Sequence, residues 1–205
     1  MKEFIVAVDI AKKRDYFATM ILKDVARIVA GNTTLNTADR IIHHYDIVYL
    51  YQRKGLRYEE MTDEVVRITQ HSSIVLNHDL IVDGTGVGEA AVDLLRKEGL
   101  YPIPIVFTGG ESYHEIYEDI GRVFQNAPGK LSASKTLKEL RIPKQDLVTA
   151  GKVLMQQGRI HLAQGVDHRE ALEEQLMNFK GKVNEKTKKI KYGAEDDEVH
   201  DDFVV

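Results

Sequence analysis

The chain has 205 residues, with 28 Lys and Arg against 32 Asp and Glu, a formal net charge of −4. Affinity for a phosphate polymer normally comes from surplus Lys and Arg, so this balance excludes a histone-like or polybasic binder. The absence of Cys excludes disulfide frameworks, thiolate zinc sites and a cysteine nucleophile, so any metal must sit on oxygen or imidazole. No run of about 18 apolar residues occurs, and the first apolar stretch closes at Asp9, so a soluble intracellular protein is expected.

FIVAVDIA (4–11) is a short β-branched run of the kind that forms a strand buried on both faces, and YFATMIL (16–22) follows the turn KKRD as its hairpin partner. Residues 24–44, with Gly31-Asn32 and a Thr/Asn-rich patch, are expected to be an insertion between strands. In HYDIVYLYQRK, Tyr45, Ile47, Tyr49 and Tyr51 alternate with Asp46, Val48, Leu50 and Gln52, which suits a third strand. The period then becomes helical, with Met61, Val65 and Ile68 at i, i+4, i+7. DLIVD (79–83) is another buried-type strand and GTGVG a tight loop. EAAVDLLRKEG is a helix with Ala91, Leu94 and Leu95 inward and Gly99 as its stop, and PIPIVF is a fifth strand. The order β-β-β-α-β-α-β predicts a mixed five-stranded sheet, antiparallel first and parallel afterwards, flanked by helices.

Further on, residues 143–158 read as a helix with Leu147, Ala150 and Leu154 on one face. Residues 171–179 read as another, with Leu172, Leu176 and Phe179 on one face. FKGKVNEKTKKIKYGA is expected to form a β-hairpin appendage, basic over 179–192 and turning near Asn184 to Lys186. EDDEVHDDFVV ends the chain, and its apolar Phe203, Val204 and Val205 read as the first turn of a packed helix that would fix Asp201, Asp202 and His200 against the sheet.

Asp9 is the first chemical signal, because an ionised carboxylate inside an apolar strand is costly unless it is paired, hydrogen-bonded or on a metal. Asp83 ends its strand in the same way, where a loop-capping role is the bland reading. Gly84-Thr85-Gly86-Val87-Gly88 is not a dinucleotide fingerprint, because G-x-G-x-x-G would need Gly where Glu89 stands. No P-loop motif occurs. Acids on three separate elements, the last among the six at 195–202, make an oxygen-rich constellation suited to Mg²⁺ or Mn²⁺. Two such ions roughly 3.5–4 Å apart activate water and stabilise the leaving oxygen in phosphodiester hydrolysis. His43, His44, His71 and His78 fit no ligand spacing and read as structural or surface residues. Lys180, Lys182, Lys186, Lys188, Lys189 and Lys191 would hold a phosphate backbone beside such a site, with Lys12, Lys13 and Arg14 doing so on a smaller scale.

VAVDIAKKRDYFATMIL, IVDGTGVGEAAVDLLRKEGLYPIPIVFTGG, RIPKQDLVTAGKVLMQQGRIHLA with EALEEQLMNFK, and EDDEVHDDFVV, in that order, resemble the C-terminal nuclease domain of tailed-bacteriophage terminase large subunits, a ribonuclease H-like fold. The resemblance spans almost the whole length. It implies a single nuclease domain over 1–205 without the family's ATPase motor, and a chain that stops short of the helix normally following the third acidic motif. It makes Asp9 the acid shared by two ions, Asp83 a ligand of one, and Asp202 the third carboxylate, with Asp201 as second ligand and His200 as auxiliary. The implied activity is Mg²⁺- or Mn²⁺-dependent cutting of concatemeric double-stranded DNA, with little sequence specificity, in the cytoplasm of an infected host. The implied partners are the terminase ATPase domain, the small terminase subunit and the portal. Two other readings compete: one half of an actin- or sugar-kinase-like ATPase, which would need a second similar half, and an inactive DNA-binding module.

Removing Asp9, Asp83 and the six acids of 195–202 from the 32 leaves 24 against 28 bases, a formal +4. Two divalent ions would bring the whole chain from −4 to 0, so the acidity reads as a metal site on a mildly basic body.

Overall fold

A computed structural model describes residues 2–10, 16–31, 39–85, 88–109, 113–119, 135–183, 190–194 and 203. The first five strands are β1 (Phe4–Asp9), β2 (Tyr16–Val29), β3 (Arg40–Lys54), β4 (His78–Asp83) and β5 (Ile103–Thr108); α1 (Tyr58–Thr69) and α2 (Gly88–Lys97) lie between the later ones. They adjoin in the order β5-β4-β1-β2-β3, with β1 antiparallel to β2, β2 antiparallel to β3, and β1, β4 and β5 parallel. This is the mixed five-stranded sheet expected from the element order.

The sheet is larger than that order predicts. β6 (His114–Asp119) and β7 (Lys135–Pro143) extend it beyond β5, and β8 (Ile160–Leu162) pairs parallel with β3 at the other edge, giving eight strands. Residues 24–29 and 40–44 are not an insertion. They continue β2 and β3 as a ribbon whose pairing runs to Val29↔Arg40. Asp24 and His43 are tolerated there because their side chains are in hydrogen-bond contact, 2.8 Å between Nδ1 and Oδ1.

One face of the sheet carries the main core. Val6, Val8, Phe17, Ile21, Leu80 and Val82 meet Met61, Val65 and Ile68 of α1 and Ala91, Val92 and Leu95 of α2. Each of these side chains larger than Ala91 contributes about 1.5–3 kcal/mol on leaving water. α2 stops at a left-handed Gly99 (φ 80°), which frees the Leu100 N–H to close on the Leu95 carbonyl.

The other face is thinner. Ala18, Ile47, Leu50, Leu172 and Phe203 form its buried cluster, with Met20, Leu22 and Leu176 packed against it. The helix α3 (Lys144–Gln156) contributes no buried residue; Ala150 is exposed and Leu154 half-buried, and Leu147, although it lines a cleft described below, is 36% exposed. The apolar face read from Leu147, Ala150 and Leu154 is therefore largely exposed. In α4 (Arg169–Asn178) Leu172 is buried as expected, and so is Gln175.

Strict alternation in β3 also fails, for a local reason. Ile21 pairs with Tyr49 and Leu22 with Ile47, so Val48 is an extra residue. This β-bulge turns Val48, Tyr49 and Tyr51 toward the helical core while Ile47 and Leu50 face the thinner cluster. The expected hairpin is present as β9 (Phe179–Val183) antiparallel to β10 (Ile190–Ala194), with Val183↔Ile190 its last described pair and its turn outside the described residues.

Candidate metal site

Asp9 is the last residue of β1 and Asp83 the last of β4. These strands run parallel and in register up to Val8↔Val82, so the two acids are the next pair along. Neighbouring strands lie about 4.8 Å apart, and equivalent positions face the same way. Both acids are half-buried and line one cleft of about 260 Å³. Its walls include Ile5, Ala7, Met20, Ile81, Ile105 and Leu147, and Asp9 and Asp83 are the charged side chains among its described lining residues.

Local chemistry orients Asp83. Its Oδ1 accepts the Thr85 backbone N–H at 2.7 Å, and the Thr85 hydroxyl oxygen accepts the Phe107 N–H at 3.2 Å, tying the loop to β5. Gly84 permits this, because a Cβ there would lie 3.3 Å from the Pro104 Cβ and 3.4 Å from the Ile105 carbonyl oxygen. Gly84 thus serves a sharp turn against β5; Gly86 and Val87 lie outside the described residues.

Of the remaining sequence candidates, Asp201, Asp202 and His200 lie outside the described residues, as do Lys12, Lys13, Arg14, Lys186, Lys188 and Lys189. Among the described residues, no three His, Asp or Glu side chains group as a metal site. Phe203, which follows Asp202 in the chain, is 6% exposed and lines the same cleft as Asp9 and Asp83. Lys180 and Lys182 lie on β9, and Lys191 on β10 is the register partner of Lys182.

The hairpin that carries these lysines is joined to α3 by aromatic contacts. Phe179 and Tyr192 stack at 6.2 Å, with the Lys144 ammonium 5.8 Å from the Phe179 ring and that of Lys152 6.0 Å from the Tyr192 ring. At Gly181 a Cβ would come within 2.8 Å of the Ile190 Cγ2, so the strand can lie close only without a side chain.

The histidines take other partners. His43 pairs with Asp24, and the His78 Nδ1 lies 3.0 Å from the Ile74 carbonyl. The His44 Nδ1 lies 3.2 Å from the His161 Nε2. Partial burial, then the charges of Arg27, His161 and Arg159, hold the His44 imidazole below its ordinary pKa, with Asp46 opposing. The residue that sequence reasoning missed is Gln175, whose buried Oε1 accepts the Phe203 N–H at 2.8 Å. Nothing within ALEEQLMNF signals this, because the partner lies 28 residues away.

No family model matches the chain, and no curated protein does. Among solved structures, the large terminase nuclease from thermophilic phage G20c aligns over 99% of this chain and 77% of its own, with TM-score 0.56 and 17% identity. The chain has the fold of a phage large terminase nuclease. A structure of the G20c nuclease with bound zinc aligns over 99% of this chain and 76% of its own, at 17% identity and TM-score 0.48. In this terminase-nuclease fold the mixed sheet brings Asp9 and Asp83 to one end of adjacent strands. No helix of the described residues is long and apolar enough to cross a membrane.

Proposed function

We propose that this chain is the metal-dependent endonuclease domain of a phage DNA-packaging terminase, one domain over 1–205, cutting double-stranded DNA by phosphodiester hydrolysis. The observation that carries the reading is the pair Asp9 and Asp83, side by side on a largely apolar wall that Phe203 also lines. Two like charges in such a setting repel, and a cation held between them removes the repulsion.

The donor set fits the ions. Carboxylate oxygens without thiolate suit hard divalent cations such as Mg²⁺ or Mn²⁺. Asp9 would be shared by two ions, Asp83 would hold one, and Asp202 with Asp201 would complete the set, with His200 as auxiliary. When bound, such ions supply water activation and charge neutralisation at a phosphodiester. The protein's own part is orientation: the Thr85 N–H holds one oxygen of Asp83 and so fixes how its carboxylate meets the cleft. Lys180 and Lys182 with Lys186, Lys188, Lys189 and Lys191 on the hairpin, and Lys12, Lys13 and Arg14 beside Asp9, would grip phosphates without reading sequence. The reading includes the ATPase domain, small subunit and portal as partners, and the host cytoplasm as the place of action.

The test is plasmid cleavage. The purified chain is expected to nick and linearise supercoiled DNA with Mn²⁺ or Mg²⁺ and not with EDTA, and Asp9→Asn is expected to abolish cutting while retaining the wild-type melting curve. Intact plasmid under every metal condition would overturn the reading.

A further inference from the structure

A second cavity, of about 240 Å³, lies on the opposite face of the sheet from the Asp9/Asp83 cleft. Pro104 and Val106 line it, whereas Ile105 and Phe107, which alternate with them along β5, line the cleft, so the two hollows sit back to back across that strand. Gly84, the residue after Asp83, also lines it, so the turn that orients Asp83 adjoins both. The cavity is charged: Arg96 and Asp93 reach it from α2, and Lys138, Glu139 and Arg141 from β7. Three side chains so close in sequence share one side because β7 is bulged. Ile116 pairs with Glu139 and Tyr117 with Leu137, so Lys138 is an extra residue, and in an unbroken strand it would turn away from Glu139 and Arg141. Each acid orients an arginine: Glu139 accepts the Arg141 Nε at 2.7 Å, and Asp93 Oδ1 lies 3.7 Å from Arg96 Nη1. Lys138 makes no hydrogen bond or ion pair with any described residue, so among these five side chains one positive charge is in surplus.

We propose that this cavity is a phosphate subsite for the DNA strand engaged at Asp83, with Lys138, Arg96 and Arg141 as its donors. The inference rests on the reading of the chain as a DNA nuclease. Asp83, Ile105 and Leu140 form one row across β4, β5 and β7, and Arg141 is one residue further on, about 10 Å away at about 4.8 Å per strand. Successive phosphates rise about 3.4 Å along one DNA strand, so a strand crossing the carboxyl ends of β4 and β5 offers these donors a phosphate within about three nucleotides of the one at Asp83. Guanidinium and ammonium groups hold backbone oxygens there without reading bases.

The experiment is a binding titration of the full chain with a short duplex DNA in EDTA, repeated across salt concentrations, beside plasmid nicking with Mn²⁺. Lys138→Gln is compared with Lys97→Gln, which removes the same charge from an exposed position at the end of α2, outside the cavity. Lys138→Gln is expected to reduce the salt slope by about 0.9, so that its affinity deficit against wild type shrinks about 3.5-fold between about 50 and 200 mM salt. Adding Arg96→Gln should reduce the slope by about 0.9 again, whereas Lys97→Gln should keep the wild-type slope, all with wild-type melting curves. Equal slopes in Lys138→Gln and Lys97→Gln, beside a wild type that cuts plasmid, overturn the subsite and leave the nuclease reading standing. A slope that depends on Lys138 in a chain whose wild type leaves plasmid intact under every metal condition upholds the phosphate contact and overturns the nuclease reading instead.

Discussion

Replacing Thr19 by Val should stabilise this protein, although the same change at Thr69 should weaken it. Both threonines are buried, at 1% and 2% exposure. The Thr69 hydroxyl donates to the Val65 carbonyl at 2.8 Å, whereas the Thr19 Oγ1 has no hydrogen-bond partner among the described residues. Thr19 sits in β2 opposite Val8 and Tyr51, in a setting that rewards a methyl over a hydroxyl. Relieving an unsatisfied buried hydroxyl is worth about 1–2 kcal/mol, and losing a satisfied one costs about 1 kcal/mol. For a chain of this size each kcal/mol moves the melting temperature by about 2–4 °C. Thr19→Val should therefore raise it by about 2–8 °C and Thr69→Val should lower it by about 2–4 °C, measured by calorimetry at one pH. A fall at Thr19 would refute the argument, because it would mean that the hydroxyl is bonded in solution.

Gly84→Ala should cost about 1–2 kcal/mol, because the new Cβ presses on Pro104 and Ile105, and it should reduce cutting by displacing Asp83; wild-type melting and activity together would refute this. Neutralising Lys180, Lys182, Lys186, Lys188 and Lys189 should weaken DNA binding and flatten its salt dependence by up to about 0.9 per lost phosphate contact, and an unchanged slope in a binding titration would return the lysines to a merely solubilising role. The lowered pKa of His44 means that the unfolded chain binds the extra proton first. Stability should therefore fall as pH drops below about 6.5, until His44 itself protonates in the fold, and His44→Gln should flatten that part of a melting-temperature profile; an unaltered slope would count against it.

What the sequence disclosed followed from local physics. Asp9 stood out because a carboxylate in FIVAVDIA contradicts its surroundings, and Met61, Val65 and Ile68 carried a helical period that the core confirms. The missed strands had weaker signals. β8 has three residues, and β6 and β7 pair across a long connection, although Leu140 and Ile142 alternate with Glu139 and Arg141. The polar run around Asp24 and His43 looked like an insertion because its compensation is a cross-strand hydrogen-bond contact. The face of Leu147, Ala150 and Leu154 was legible but its exposure was not, because spacing reports a face and not what covers it. Gln175 was silent because its meaning depends on a backbone group 28 residues downstream.

The bulge at Val48 has a consequence for how the chain can vary in length. Slipped into a bulge-free register, β3 would set Asp46 opposite Asp24, a like-charge pair, and would turn Ile47 away from the cluster it shares with Leu50. Excising Val48 alone does neither: Ile47 stays opposite Leu22, Tyr49 stays opposite Ile21, and every arm residue keeps its face. Position 48 is thus where β3 can lose a residue without turning over.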